Sequence, residues 1–296
     1  MARKVNVGNE STKPDSPVKK YLQWTNLTKN VKDSDGDVTS KVIGGKFFHT
    51  VKVETADETV YEKIDVPLPF QFTLLDSNWT TFKGYHEPSG MNFWSNEVDD
   101  YNSIITIRSK EGVFAEFTMS EFIDKDKAGQ ELREKVKAKA VKKLRSIYGV
   151  WTNEDKQLEL INLQLKGTQD YVATDKTAGW ASFIKKNVEA VSNYDIVVRD
   201  AIIAQKDKNS PKYTYPIWEL SKKPTDLNNE DAFNAFYAIL TEYHKKYKVY
   251  IKSLLKEVVE VDEEQKETPV KQSKKQPVAT EHNDGDDGDD DGELPF

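Results

Sequence analysis

Between Tyr21 and Thr118 the apolar positions come in short runs that alternate or cluster, the spacing of strands and not of helices. "KVIGGKFFHTVKVE" (41–54), "TVYEKIDV" (59–66), "PFQFTLL" (69–75), "NSIITIRS" (102–109) and "VFAEFT" (113–118) are rich in β-branched and aromatic residues and are separated by Gly, Asp, Asn and Pro. Strands at that spacing predict a small barrel or sandwich. From Asp126 to Tyr148 the period changes, with Leu132, Val136, Ala140, Leu144 and Ile147 at steps of three and four, which predicts a helix. Asp126 can cap its start, Lys142, Lys143 and Arg145 suit its C-terminal dipole, and Gly149 can supply a left-handed stop.

"QLELINLQLKG" (157–167) alternates as a strand, and Trp180, Phe183, Ile184, Val188 and Val191 mark one face of a short helix. Residues 194–220 read as a long hairpin with Asp207, Asn209, Ser210 and Pro211 in its connection. A last helical stripe runs through Phe233, Phe236, Tyr237, Leu240, His244, Tyr247, Ile251 and Leu254. Strands on both sides of a central helix point to one interrupted β-rich domain over 21–256. Residues 1–20 are polar and read as a flexible arm. The Lys/Glu/Gln/Pro-rich and then Asp/Gly-rich stretch 257–288 cannot bury enough apolar surface to offset ordering entropy, and reads as a disordered linker.

Charge changes this picture once it is divided along the chain. From Glu281 onward there are eight acids and no Lys or Arg, whereas residues 1–256 hold 36 acids against 39 basic residues, a formal charge of +3. A mildly basic body with an acidic tail suits a polyanion-binding surface or an interaction tail. No apolar run approaches the length that spans a bilayer, and the first residues lack the apolar segment of a signal peptide, so a cytoplasmic protein without a membrane partner is expected. Without cysteine there is no disulfide framework, thiolate metal site or thiol nucleophile.

Enzyme signatures are weak. "DSDGD" (33–37) begins like a calcium loop but has Gly36 at the fourth place and Gly44 at the twelfth; "GGK" (44–46) lacks the rest of a phosphate-binding loop. HExxH, GxSxG and paired-carboxylate motifs are missing, and His244 on its apolar stripe reads as a packed histidine. The expectation is therefore no enzyme, no metal and no cofactor.

Basic residues interleaved with aromatics carry more chemistry. "WTTFKGYHEPSGMNFW" (79–94) supplies Trp79, Lys83, Tyr85, Phe93 and Trp94 in one hairpin, and "KDKNSPKYTYPIW" (206–218) supplies Lys208, Lys212, Tyr213 and Tyr215. Lys46 and Arg108 join them as candidates. Gripping a single strand of DNA takes this combination, aromatic faces for the bases and cations for the phosphates. The same aromatics also suit a strand core, and Trp79, Phe82 and Tyr85 cannot all share one strand face. Lys135, Lys139 and Lys142, and Lys245, Lys246, Lys248 and Lys252, read as solvated helix faces.

The chain closes on "DDDGELPF", Asp289, Asp290, Asp291, Gly292, Glu293, Leu294, Pro295 and Phe296. An apolar tip behind a polar linker can enter a pocket on another protein, and Phe296 offers a ring and the α-carboxylate together. This ending, with the order of basic body, linker and acidic segment, resembles the bacterial single-stranded DNA-binding proteins, which typically end in Asp-Asp-Asp-Ile-Pro-Phe. The body is longer than that family's OB domain and looks more like bacteriophage single-stranded DNA-binding proteins, which embellish an OB fold. The resemblance implies an α+β, mainly β chain: an elaborated OB-fold-like barrel with added helices and a disordered acidic tail. It also implies non-specific binding and protection of single-stranded DNA in replication, recombination and repair. Asp289, Asp290, Asp291, Glu293, Leu294, Pro295 and Phe296 would dock partner proteins. The alternative is an interaction or DNA-mimic module that uses the tail alone. Oligomeric state is left open.

Overall fold

The computed structural model describes residues 13–32, 38–54, 59–170, 172, 178–205, 207–225 and 230–266. In chain order the elements are β1 (Lys20–Lys32), β2 (Val38–Glu54), β3 (Thr59–Val66), β4 (Phe70–His86), β5 (Met91–Ser95), β6 (Ile104–Ser109), β7 (Gly112–Thr118), α1 (Met119–Ile123), α2 (Lys127–Lys137), β8 (Val141–Thr152), β9 (Leu158–Lys166), α3 (Gly167–Asp170), α4 (Trp180–Asn187), β10 (Tyr194–Ala204), β11 (Tyr213–Pro224) and α5 (Glu230–Lys266). The protein is mainly β with a few helices. It divides into two compact units, Val18–Phe236, which carries the strands, and the helical stretch from Tyr237. Among the described residues no helix is long and apolar enough to cross a membrane.

The sheet runs β3-β2-β1-β9-β8-β4-β5-β6-β7, with β10 attached to the start of β4 and β11 to β10. The join of β1 to β9 is parallel, and the other ladders are antiparallel. The path ends on two different edge strands, so the sheet is open and not closed into a barrel. One face carries both hydrophobic cores. Leu22, Trp24, Phe47, Phe72, Ile147 and Leu163 pack with Trp180 of α4 and Trp218 of β11. Phe82, Phe93, Ile105 and Phe117 pack with Val136 of α2 and Met119 of α1.

The helix expected over 126–148 is corrected. Asp126 does cap it, its carboxylate accepting from Gly129 N at 2.7 Å. The helix nevertheless ends at Lys137, Ala140 turns the chain in the left-handed region (φ 52°), and Val141–Thr152 is strand β8. The cause is tertiary: β8 lies between β4 and β9 and is covered on both sides. Leu144 and Ile147, three apart, therefore face opposite ways instead of sharing a helical stripe. The arm is shorter than residues 1–20, because Lys19 N already donates to Leu160 O and Val18 is buried. At the other end α5 runs to Lys266, into the stretch read as linker from 257; Glu and Lys there are good helix formers as well as polar. The rest of the linker and the tip lie outside the described residues, as do residues 1–12 of the arm. His244 is buried on α5, as its stripe implied.

Gly84 permits the turn into β8. A Cβ there would lie 2.3 Å from Ala140 O and 2.6 Å from Val141 Cα, backbone atoms that cannot swing aside. Gly84→Ala should therefore destabilise the protein by about 1–3 kcal/mol. Urea unfolding checks this, with a lower midpoint at unchanged slope expected.

Candidate nucleic-acid interface

On β4 the side chains alternate from buried Phe82 to exposed Lys83 and from Gly84 to exposed Tyr85. The sheet face opposite the cores thus carries Lys83 and Tyr85. Strand register extends this into a row: Lys142 of β8 stands opposite Lys83, Lys83 opposite Trp94 of β5, and Trp94 opposite Arg108 of β6. At the usual strand separation four such positions span about 14 Å. Trp94 is 45% exposed and Tyr85 52%, so both rings are open to solvent. Lys83 Nζ donates to Gln164 Oε1 on β9 at 3.1 Å and lies over the ring of Tyr21 on β1, 5.7 Å from its centroid.

The same face continues past β9. Gln23 and Thr25 of β1 point to it, and their partners on β2 are Phe48 and Lys46. Asp65 of β3 stands opposite Phe48 and pairs with Lys46, while Lys63 Nζ lies 5.1 Å from the centroid of the Phe48 ring. Three lysines from separate strands then converge. Lys166 of β9 is held below the ordinary lysine range by burial and by the charges of Lys142 and Lys63. Like charges gathered this way oppose folding unless an anion joins them.

Beneath the row Glu97 is half-buried. Desolvation raises its carboxyl above the ordinary range, and Ser146, Tyr148, Lys83 and Asn162 act the other way by favouring its charged form. The Tyr148 hydroxyl donates to Glu97 Oε2 at 2.5 Å. The floor of the face is therefore polar and tied down, which limits the motion of the groups above it.

The structure separates the sequence candidates. Lys83, Tyr85, Trp94 and Arg108 share one face, and Lys46 lies farther along it but is occupied by Asp65. Trp79, Phe93 and Tyr215 are corrected to buried residues, 2%, 3% and 4% exposed. By alternation Trp79 falls on the Lys83 side of β4, opposite Ser146 of β8, but it is packed over instead of open to solvent, and its Nε1 donates to Asp76 Oδ2 at 2.8 Å. Phe93 stands opposite Gly84 on the core side of the sheet and meets Phe114 edge-on at 5.1 Å. Lys208, Lys212 and Tyr213 sit at the far end of the β10–β11 hairpin, away from Lys83. That end is anchored on the core side of β1: Trp24 Nε1 donates to Thr214 Oγ1 (3.0 Å), and Thr214 N and Oγ1 donate to Asn26 Oδ1 (3.0 and 2.7 Å). A surface hollow of about 510 Å³ between α4 and β11 is also on the core side; it holds one Lys186 against one Glu219 and so has no charge bias. The docking residues Asp289 to Phe296 lie outside the described residues.

No family model, curated protein or solved structure matches the chain. The interface therefore rests on its own geometry. Sequence reasoning missed Tyr21, Phe48, Lys63 and Lys166, and it assigned Lys142 to a helix surface. For Lys166 a signal existed, since Gln164 and Lys166 alternate with Leu163 and Leu165 in the predicted strand. Lys63 had none, because only the sheet order brings it near β9.

Proposed function

We propose that the protein binds single-stranded DNA without sequence preference and protects it during replication, recombination and repair. It recruits partner proteins through Leu294, Pro295 and Phe296 and acts in the cytoplasm, that of a bacterial host if the protein is viral. One observation supports this above the rest: on a single sheet face Lys63, Lys83, Lys142, Lys166 and Arg108 lie among Tyr21, Tyr85 and Trp94. The cations suit phosphates at intervals and the rings suit bases of any identity, each stacked base contributing about 1–3 kcal/mol. The open sheet with added helices serves as an elaborated OB-like platform. No reaction and no cofactor are needed for this role.

Titration of the intrinsic tryptophan fluorescence with oligo-dT tests the reading. Quenching whose affinity falls steeply with salt is expected, through release of counterions from the strand. Tight binding to duplex DNA with none to oligo-dT would overturn it. Deleting residues 281–296 removes eight acids and should raise affinity for oligo-dT several-fold at low salt, with the gain vanishing at high salt. If deletion instead abolishes the protein's only measurable interaction, the tail-only interaction module is the better account.

A further inference from the structure

The candidate face does not stop at the packed body. Beyond Asn26 and Val42, β1 and β2 continue as a two-stranded ribbon in which Leu27–Lys32 and Val38–Lys41 are exposed throughout. Alternation carries the side of β1 that holds Gln23 and Thr25 onto Leu27, Lys29 and Val31. Register then carries it across to Lys41 and Thr39 of β2, and Lys29 stands directly opposite Lys41.

That pair is unfavourable by itself. Directly opposed like charges destabilise a ladder, and a two-stranded ribbon without a core is marginal in water. No carboxylate among the described residues pairs with either lysine. On either side of the pair the apolar side chains of Leu27 and Val31 are 37% and 40% exposed. Fold stability accounts for neither feature, whereas a ligand carrying both phosphates and apolar base faces matches both.

We propose that the bound single strand leaves the body over β1 and β2 and crosses the ribbon, with phosphates on Lys29 and Lys41 and bases or sugars against Leu27 and Val31. This rests on the reading of the main face as a single-strand site. Between the two strands the sequence adds Asp33, Asp35 and Asp37, which repel phosphate. The strand therefore crosses at the lysine pair and does not follow the ribbon to its tip.

The test compares the wild-type protein with the Lys29→Ser/Lys41→Ser variant on poly-dT and on an oligo-dT too short to reach from the main face to the ribbon. On poly-dT the variant should cover several fewer nucleotides, and its salt slope should fall by about 1.4, or 0.7 for each phosphate no longer neutralised. Affinity for the short oligonucleotide should be unchanged, and Lys29→Arg/Lys41→Arg should keep the wild-type slope and coverage. Thermal melting guards against unfolding, since removing opposed charges leaves stability equal or higher. Unchanged slope and coverage in a variant whose parent binds poly-dT overturns the ribbon crossing alone. A parent that does not bind poly-dT overturns the single-strand site itself.

Discussion

Replacing Lys63, Lys142 and Lys166 together by glutamine is expected to weaken oligo-dT binding about 10²- to 10³-fold, at roughly 1–1.5 kcal/mol for each solvent-accessible contact to phosphate, the upper part of the ordinary hydrogen-bond range. The salt slope should fall by about 2. The same variant should melt higher than the wild-type protein. The three lysines come from β3, β8 and β9, the charges of Lys142 and Lys63 act on Lys166, and relieving like-charge repulsion of this kind is worth up to about 1 kcal/mol for each pair. For a domain of this size 1 kcal/mol corresponds to roughly 2–4 °C. A pH series sharpens the result. Because Lys166 takes up a proton less readily in the folded chain than in the unfolded one, wild-type stability recovers as pH rises from its lowered pKa towards the ordinary lysine value. The advantage of Lys166→Gln should therefore be full at neutral pH and shrink in alkaline solution. Lower stability with unchanged binding would mean that the lysines serve the fold and not a ligand.

Two tryptophans from the same hairpin should behave in opposite ways. Trp94→Ala is expected to cost about 1–3 kcal/mol of single-strand affinity with little change in stability, because the ring stands in solvent between Lys83 and Arg108. Trp79→Ala should instead destabilise the protein by about 3–5 kcal/mol, since the indole is buried and its departure opens a cavity and takes from Asp76 Oδ2 the N–H it accepts, leaving the carboxylate only the Asn78 amide on Oδ1. Trp94→Phe separates stacking from signal: most of the affinity stays while much of the fluorescence quenching disappears. Parallel urea unfolding and oligo-dT titration of the three variants check both halves. Loss of binding in Trp79→Ala at temperatures where it is fully folded, with none in Trp94→Ala, would reverse the assignment.

Strand-forming stretches are readable wherever one side of a strand alternates in chemistry, as in 157–167 and in the 194–220 hairpin. Residues 126–148 mislead because Leu132, Val136, Ala140, Leu144 and Ile147 fit a helical period, although the last two belong to a strand buried on both faces. β1 is hard to read because much of its length is the polar, solvated ribbon, which has no core face to impose a pattern. The hairpin of 79–94 is legible, but which of its aromatics reach solvent is not: Trp79 and Tyr85 fall on the same side of β4, yet one is buried and the other 52% exposed, a difference set by tertiary packing over each position. Likewise the convergence of Lys63, Lys142 and Lys166 follows from the parallel join of β1 to β9, a long-range choice that no window of residues contains.

That join also sets a clock on synthesis. Leu22, Trp24 and Phe47 emerge early from the ribosome, yet β9, the strand that pairs beside β1, and the hairpin that locks Trp24 come much later, Thr214 lying 190 positions after Trp24. At 5–20 residues per second the indole waits roughly 10–40 s for its partner. Throughout that interval the nascent β1–β2 hairpin holds its apolar side uncovered, so a chaperone that shields early hairpins would raise the yield of native protein more than one acting after release.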